Sequence, residues 1–106
     1  MHIRIHLVAA LLMGSAAGAA VAQDASATLH TRALAATCAS CHGTDGRTAD
    51  GSAIPSLVGM PKNYMIIQFK AFKDGSRPAT VMHQLSKGFT DQQIDSIATY
   101  FAATKR

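Results

Sequence analysis

The chain has 106 residues, a formal net charge of +4, no tryptophan and only 6% aromatic residues. This length accommodates one domain with little apolar bulk, and chains of this kind often depend on a disulfide, a metal or a cofactor to stay folded. We expect no nucleic-acid partner, because few aromatic residues are available to stack on bases.

Residues 1–22 have the features of a secretory signal peptide. Arg4 lies near the start, an apolar stretch covers residues 5–13, and the sequence AVA at 20–22 is an A-x-A cleavage pattern. The apolar stretch is shorter than the roughly 20 residues needed to span a bilayer. We therefore predict cleavage after Ala22, a periplasmic domain over residues 23–106, and no membrane span in the mature chain.

Helical signals occur in three places and predict an all-α fold. Residues 28–37 have an apolar face uninterrupted by Gly or Pro. A second helix is predicted at about 63–74, with Asn63 as N-cap and Gly75 as its stop. The last helix begins with a capping box at Thr90. Strand signals are nearly absent.

The second helix carries two adjoining apolar stripes, and both are expected to face inward. One stripe consists of Met65, Phe69 and Phe72, the other of Tyr64, Ile67 and Ala71.

A loop rich in Gly and Pro is predicted at residues 43–61. A loop this long in a small domain is normally functional or wrapped around something. Its apolar residues Ile54, Leu57 and Val58 are therefore expected to bury against a partner.

The only two cysteines lie in the sequence TCASCHGTDG, as Cys38 and Cys41, with His42 directly after them. A structural zinc site needs four ligands, and His30 and His83 do not make a compact second pair. A thioredoxin-like dithiol normally follows a strand at a helix N-terminus, whereas here a helix precedes the motif and a loop follows it. Both interpretations are disfavoured.

The third interpretation is the C-x-x-C-H attachment site of c-type haem. The thiols of Cys38 and Cys41 add to the haem vinyl groups as thioethers, and His42 supplies the proximal axial ligand. The haem then serves as the apolar centre of a small chain, and its attachment outside the energy-transducing membrane agrees with export. The sequence therefore predicts one covalently bound haem c.

Met82 is the predicted second axial ligand. A Met thioether opposite the His raises the reduction potential of an electron-carrying haem, and Met82 lies on a segment able to close over the far haem face. Met65 is better explained as a core residue, and Met60 comes early in the chain. His83 is the main rival, and a bis-His haem has a lower potential.

Pro55 is a candidate for a supporting role. The proximal imidazole needs an acceptor for its other ring N–H, commonly a backbone carbonyl, and the stretch 54–56 is well placed to supply one. A plain turn proline explains Pro55 equally well.

In its order of elements the chain resembles a small class I c-type cytochrome. The stretches TCASCHGTDG, IPSLVG and SRPATVMHQLSKGFTDQQIDSIATYFA are similar to the cytochrome subunit of flavocytochrome c, a sulfide dehydrogenase. The resemblance covers nearly all of residues 23–106. It implies the class I cytochrome c fold, thioether attachment at Cys38 and Cys41, and axial ligation by His42 and Met82.

The resemblance also implies partners. A separate flavoprotein subunit binds sulfide and takes two electrons, which the cytochrome accepts one at a time and passes to a downstream acceptor. Catalysis then belongs to the partner, so this chain is an electron-transfer subunit whose status as an enzyme is open. Apart from the resemblance, the basic cluster from Lys62 to Lys87 has two explanations: it is the solvated face of a helix, which is the more frequent case, or it surrounds the haem edge and steers an acidic partner.

Two other functions are compatible with the same haem attachment motif. A free-standing periplasmic electron shuttle needs the same haem ligands and no flavoprotein. A ligand-sensing haem protein leaves the iron open where Met82 is expected, and its ferrous form binds carbon monoxide readily.

Overall fold

The computed structural model describes residues 21–105 of the chain. By its contacts the chain divides into two units, Met1–His30 and Thr31–Arg106. In the first unit the described residues 21–30 are helical. The predicted signal peptide lies outside the described residues except for its last two positions, and its cleavage stays a prediction.

The second unit is built from helices and turns. Residues 31–36 form α1, Ala39–His42 the single turn α2, Lys62–Asp74 α3, Met82–Leu85 α4, and Asp91–Ala103 α5. Two 3-10 turns lie at Thr44–Gly46 and Ser86–Gly88. No strand occurs within residues 21–105, and the predicted all-α fold class is confirmed. Of the first predicted helix, 28–37, all residues but Thr37 are helical.

The core lies where α3 packs against α5. Its seven buried apolar side chains come from α1, α3 and α5, and they are Ala35, Met65, Phe69, Ile94, Ile97, Ala98 and Phe101. Fully burying one of the larger side chains contributes about 1.5–3 kcal/mol. Ala35 of α1 thus joins the core that α3 and α5 form.

The start of α5 is the capping box that the sequence predicts. The Thr90 hydroxyl accepts a hydrogen bond from the Gln93 backbone N–H at 3.2 Å, and the Gln93 side chain accepts one from the Thr90 N–H at 2.9 Å. Two N–H groups that the helix cannot satisfy internally are thereby paired.

The C-terminal end of α3 is as predicted, and its N-terminal end is not. The helix stops at Gly75, which has the left-handed conformation at φ 83°. Asn63 is not its N-cap, however, because the helix begins at Lys62 and Pro61 occupies the cap position. The Pro61 carbonyl accepts a hydrogen bond from the Met65 N–H at 3.0 Å, so the backbone starts the helix without a side-chain cap.

Only one of the two apolar stripes of α3 faces inward. Met65 and Phe69 are buried, whereas Tyr64 is 48% exposed and Ile67 is 59% exposed. The prediction that both stripes face inward is confirmed for Met65 and Phe69, because α5 covers that stripe. It is wrong for Tyr64 and Ile67, which lie on the neighbouring, exposed stripe.

Within residues 21–105, no helix combines the length and the apolar character needed to cross a membrane.

Candidate functional site

One helical turn brings the three residues of the C-x-x-C-H motif to one side of the backbone. The Cys41 and His42 N–H groups both point to the Cys38 carbonyl, at 3.4 Å and 2.9 Å. Residues three and four apart on a helical turn share a face. The turn ends at Gly43, whose φ of 80° and whose closeness to the Arg47 carbonyl leave no room for a Cβ.

The two thiols differ in their surroundings. Both are free, Cys41 is exposed, and Cys38 is half-buried and packs against the core. Burial raises the pKa of the Cys38 thiol above its usual value, and a hydrogen bond with Thr37 opposes that effect. The Cys38 sulfur is therefore anchored to the protein interior while the Cys41 sulfur lies at the surface.

The His42 imidazole is held by a backbone carbonyl. The side chain is 9% exposed, and its Nδ1 lies 2.7 Å from the Pro55 oxygen. A carbonyl oxygen only accepts hydrogen bonds, so a neutral imidazole in this position carries its proton on Nδ1 and keeps the Nε2 lone pair available for a metal. The acceptor lies in the stretch 54–56, where the sequence analysis looks for it.

The loop that supplies this carbonyl is fastened to the turn after the motif. The Gly46 carbonyl accepts hydrogen bonds from the Leu57 N–H at 2.9 Å and from the Ser56 hydroxyl at 3.0 Å. Of the apolar loop residues, Val58 is buried, Leu57 is half-buried and Ile54 is exposed. Sequence reasoning missed Gly46 and Ser56, since no motif distinguishes them from ordinary loop residues.

A second contact joins the same turn to α5. Asp45 has a left-handed backbone, with φ 53°, and its carboxylate accepts a hydrogen bond from the Tyr100 hydroxyl at 3.2 Å. Partial burial of the phenol raises the pKa of Tyr100, and the Asp45 carboxylate adds to that increase. The turn is thus tied both to the loop and to the last helix.

The methionines occupy different environments. Met65 is 2% exposed and belongs to the core, as the sequence analysis expects. Met82, the first residue of α4, and Met60 are partly buried and pack against the same core cluster as Cys38. The axial role of Met82 stays a prediction.

His83, the rival ligand, has its Nδ1 buried without a hydrogen-bond partner among the described residues, and the Ser86 hydroxyl is in the same situation. The burial of Ser86 could not be predicted from the sequence, because serine is polar and the segment around it is short.

The fold is small and helical, the C-x-x-C-H motif lies on one helical turn, its histidine bonds to a backbone carbonyl, and the loop that supplies this carbonyl is fastened to the turn after the motif. Together these features define a class I c-type cytochrome. Residues 25–101 match the family described as cytochrome c oxidase, cbb3-type, subunit III, and the chain belongs to this family of c-type cytochromes.

Similar proteins include several cytochromes. The chain is 46% identical over 68 residues to the cytochrome subunit of sulfide dehydrogenase from Chlorobaculum tepidum, covering 64% of this chain and 60% of that one. It is 36% identical over 70 residues to cytochrome c-554(548) from Halomonas halodenitrificans, covering 63% of this chain and 83% of that one.

Among solved structures, a cytochrome c4 from Acidithiobacillus ferrooxidans matches with a TM-score of 0.58 and 36% identity, covering 62% of this chain and 38% of that chain. This chain spans between a third and three fifths of the length of the first curated relatives it matches.

The residues of the site fit haem c. Two free thiols lie on one turn, an imidazole beside them has its Nε2 available, and exposed apolar side chains such as Ile54 and Tyr64 are present on the loop and α3. The chain is a c-type cytochrome with one C-x-x-C-H motif in its sequence, and its haem c is bound covalently through Cys38 and Cys41.

Proposed function

We propose that this chain is an exported cytochrome that acts as the electron-accepting subunit of a sulfide-oxidising flavocytochrome c. The observation that carries the proposal is the 46% identity to the cytochrome subunit of sulfide dehydrogenase from Chlorobaculum tepidum. In this complex, a flavoprotein subunit oxidises sulfide and releases two electrons. The cytochrome takes them singly and delivers them to a downstream acceptor in the periplasm.

The chain's own residues provide attachment and orientation. Haem c supplies a one-electron ferric–ferrous couple when bound. Cys38 and Cys41 hold it by two thioethers, and His42 binds its iron through Nε2. The Pro55 carbonyl fixes the orientation and protonation of the imidazole through Nδ1.

Met82 is the proposed ligand on the other side. It begins α4, it is partly buried, and it packs against the same core cluster as Cys38. A thioether at this position favours the ferrous form and raises the reduction potential, which suits an acceptor of electrons. Met82, if bound to the iron, would also deny access to external ligands.

Charge on the surface supports a docking role for only part of the basic cluster. Lys62 pairs with Asp95 at 2.8 Å and Lys73 with Asp91 at 3.6 Å. Within residues 21–105, Lys70 and Lys87 form no ion pair. The unpaired lysines are therefore the better candidates for attracting an acidic partner.

Co-purification tests the subunit proposal. A tagged chain is expressed in its native host, recovered at low salt, and its bound proteins are identified by mass spectrometry and flavin fluorescence. We expect one flavoprotein in stoichiometric amount, whose addition allows sulfide to reduce the haem. Recovery of the holocytochrome with no flavoprotein contradicts the proposal.

That negative result favours a free-standing electron shuttle, which is the second candidate. Its support is the similarity to cytochrome c-554(548), of which this chain covers 83%. A free shuttle is expected to exchange electrons with several redox proteins without forming a stable complex.

A further inference from the structure

The Gly46 carbonyl is a double acceptor that closes the loop after the motif. It receives the Ser56 hydroxyl at 3.0 Å and the Leu57 N–H at 2.9 Å. Both donors come directly after Pro55, the residue whose carbonyl holds His42. The Ser56 oxygen also lies 3.4 Å from the Val58 N–H, from which it accepts a hydrogen bond. The Ser56 hydroxyl thus takes part in two hydrogen bonds of this loop, one to Gly46 and one from Val58.

Gly46 is itself fixed relative to the motif. Its N–H donates to the Gly43 carbonyl at 2.8 Å, and the Gly43 N–H donates to the Ala39 carbonyl of the motif turn at 2.9 Å. Gly46 is buried, and a Cβ on it would lie 2.7 Å from the Phe101 ring. The acceptor for Ser56 therefore has little freedom to move away from His42.

The orientation of the Pro55 carbonyl depends on Ser56. The Pro55 C=O and the Ser56 N–H belong to one planar peptide unit, so a restraint on Ser56 is a restraint on the carbonyl that accepts from Nδ1. We propose that Ser56 is a positioning residue for the axial imidazole: its bond to Gly46 keeps the Pro55 oxygen on His42 Nδ1. The inference rests on the proposed ligation of iron by His42.

The effect on the iron follows from the hydrogen bond. An N–H donated to a carbonyl makes the imidazole a more basic ligand, and a more basic ligand stabilises the ferric form. Loosening the Pro55 carbonyl therefore raises the reduction potential. The hydrogen bond from the Leu57 N–H to the Gly46 carbonyl does not involve the Ser56 side chain, so we expect the loop of a Ser56 variant to loosen rather than to unfold.

The experiment compares Ser56→Ala, Ser56→Thr and Ser96→Ala in the haem-loaded protein. Ser96 is the control because its hydroxyl also makes a side-chain to backbone hydrogen bond, to the Gln92 carbonyl at 3.0 Å, but within α5. The measurements are the midpoint potential, the solvent exchange of the His42 Nδ1 proton by NMR, and urea unfolding.

We expect Ser56→Ala to shift the reduction equilibrium about threefold toward the ferrous form, which is about 28 mV at 59 mV per tenfold change of a one-electron couple. The Nδ1 proton should also exchange faster. Ser56→Thr should restore both values, and Ser96→Ala should change neither.

An unchanged potential and unchanged exchange in Ser56→Ala, with only a loss of stability, overturn the positioning role. Failure of the proposed ligation is a separate result: the wild-type holoprotein would then show no histidine ring proton shifted by the iron. The two failures are distinguished by the wild-type spectrum alone.

Discussion

The ring of His42 has a defined hydrogen-bond partner on Nδ1. Nδ1 faces the Pro55 oxygen at 2.7 Å, and the side chain is almost buried. This arrangement selects one tautomer, which is the one that ligates through Nε2. Met82, in contrast, is placed by its packing against the core cluster.

Replacing Met82 with alanine removes the proposed thioether ligand. We expect loss of the weak thioether-to-iron absorption band at the red end of the visible spectrum and a lower midpoint potential, because the thioether favours ferrous iron. Ferrous Met82→Ala should also bind carbon monoxide, which the wild-type protein should not. Optical titration of the purified holoprotein measures all three.

Met60→Ala is the matched control, since Met60 packs against the same cluster. It should keep the band and the potential. Survival of the band in Met82→Ala, or its loss in Met60→Ala, contradicts the assignment. Rapid binding of carbon monoxide by the wild-type protein points instead to an open iron site.

Among the elements, the loop between α2 and α3 does the most to shape the site. It is held by the Ser56 and Leu57 bonds to Gly46 and by the Tyr100 bond to Asp45. The Gly59 N–H also donates to the Phe101 carbonyl at 2.9 Å. The loop has no regular secondary structure of its own beyond one 3-10 turn, so these tertiary bonds give it a fixed path beside His42.

Gly46→Ala tests how tightly this loop is packed. The new Cβ would lie 2.7 Å from the Phe101 ring, at a backbone φ of +76°. Left-handed strain and overpacking each cost about 1–3 kcal/mol, so we expect a loss of about 2–4 kcal/mol in the free energy of unfolding. Urea unfolding of the holoprotein, followed by circular dichroism, measures the loss.

Gly51→Ala is the control for strain alone. Gly51 has a similar φ of +77°, but nothing lies within 4 Å of its added Cβ. Its cost should be about 1 kcal/mol. Equal losses in the two variants would mean that the close approach of the added Cβ to the Phe101 ring has no cost in the free energy of unfolding.

For the whole molecule, the distribution of charge is set by which helices pack together. The sequence places five basic residues and one acid between Lys62 and Lys87, and it predicts a strongly positive surface. In the fold, α5 brings Asp91 and Asp95 beside Lys73 and Lys62. The positive surface is therefore smaller than the sequence indicates.

Reversal of one unpaired lysine tests the remaining positive charge. We expect Lys70→Glu and Lys87→Glu each to slow oxidation of the ferrous protein by the anion ferricyanide severalfold at low salt, because a positive potential near the haem raises the local concentration of anions. Stopped-flow rates at several ionic strengths measure the effect, which should fade as salt increases.

Lys105→Glu changes the net charge by the same amount and serves as control. It should have a clearly smaller effect on the rate. If all three variants slow the reaction equally, total charge controls the rate and the cluster near Lys70 and Lys87 has no special role.

Local signals predicted the elements well. The capping box at Thr90 and the stop at Gly75 depend on backbone groups within a few residues of each other, so the sequence was sufficient for both. Asn63 failed as a predicted cap because a neighbouring proline allowed the helix to begin one residue earlier. The carbonyl near Pro55 was predicted from the chemical need of a ligating imidazole, but the sequence left open which function Pro55 has.

By itself the sequence determined the haem attachment motif, the helical class and the likeness to the cytochrome subunit of a sulfide dehydrogenase, because each depends on residue type at short spacing. Only the tertiary structure decided the exposure of Tyr64, the ion pair of Lys62 with Asp95 and the closure of Ser56 on Gly46. These features join residues far apart in the chain or depend on which side of a helix a neighbour covers. Packing fixes such contacts, and no local pattern encodes them.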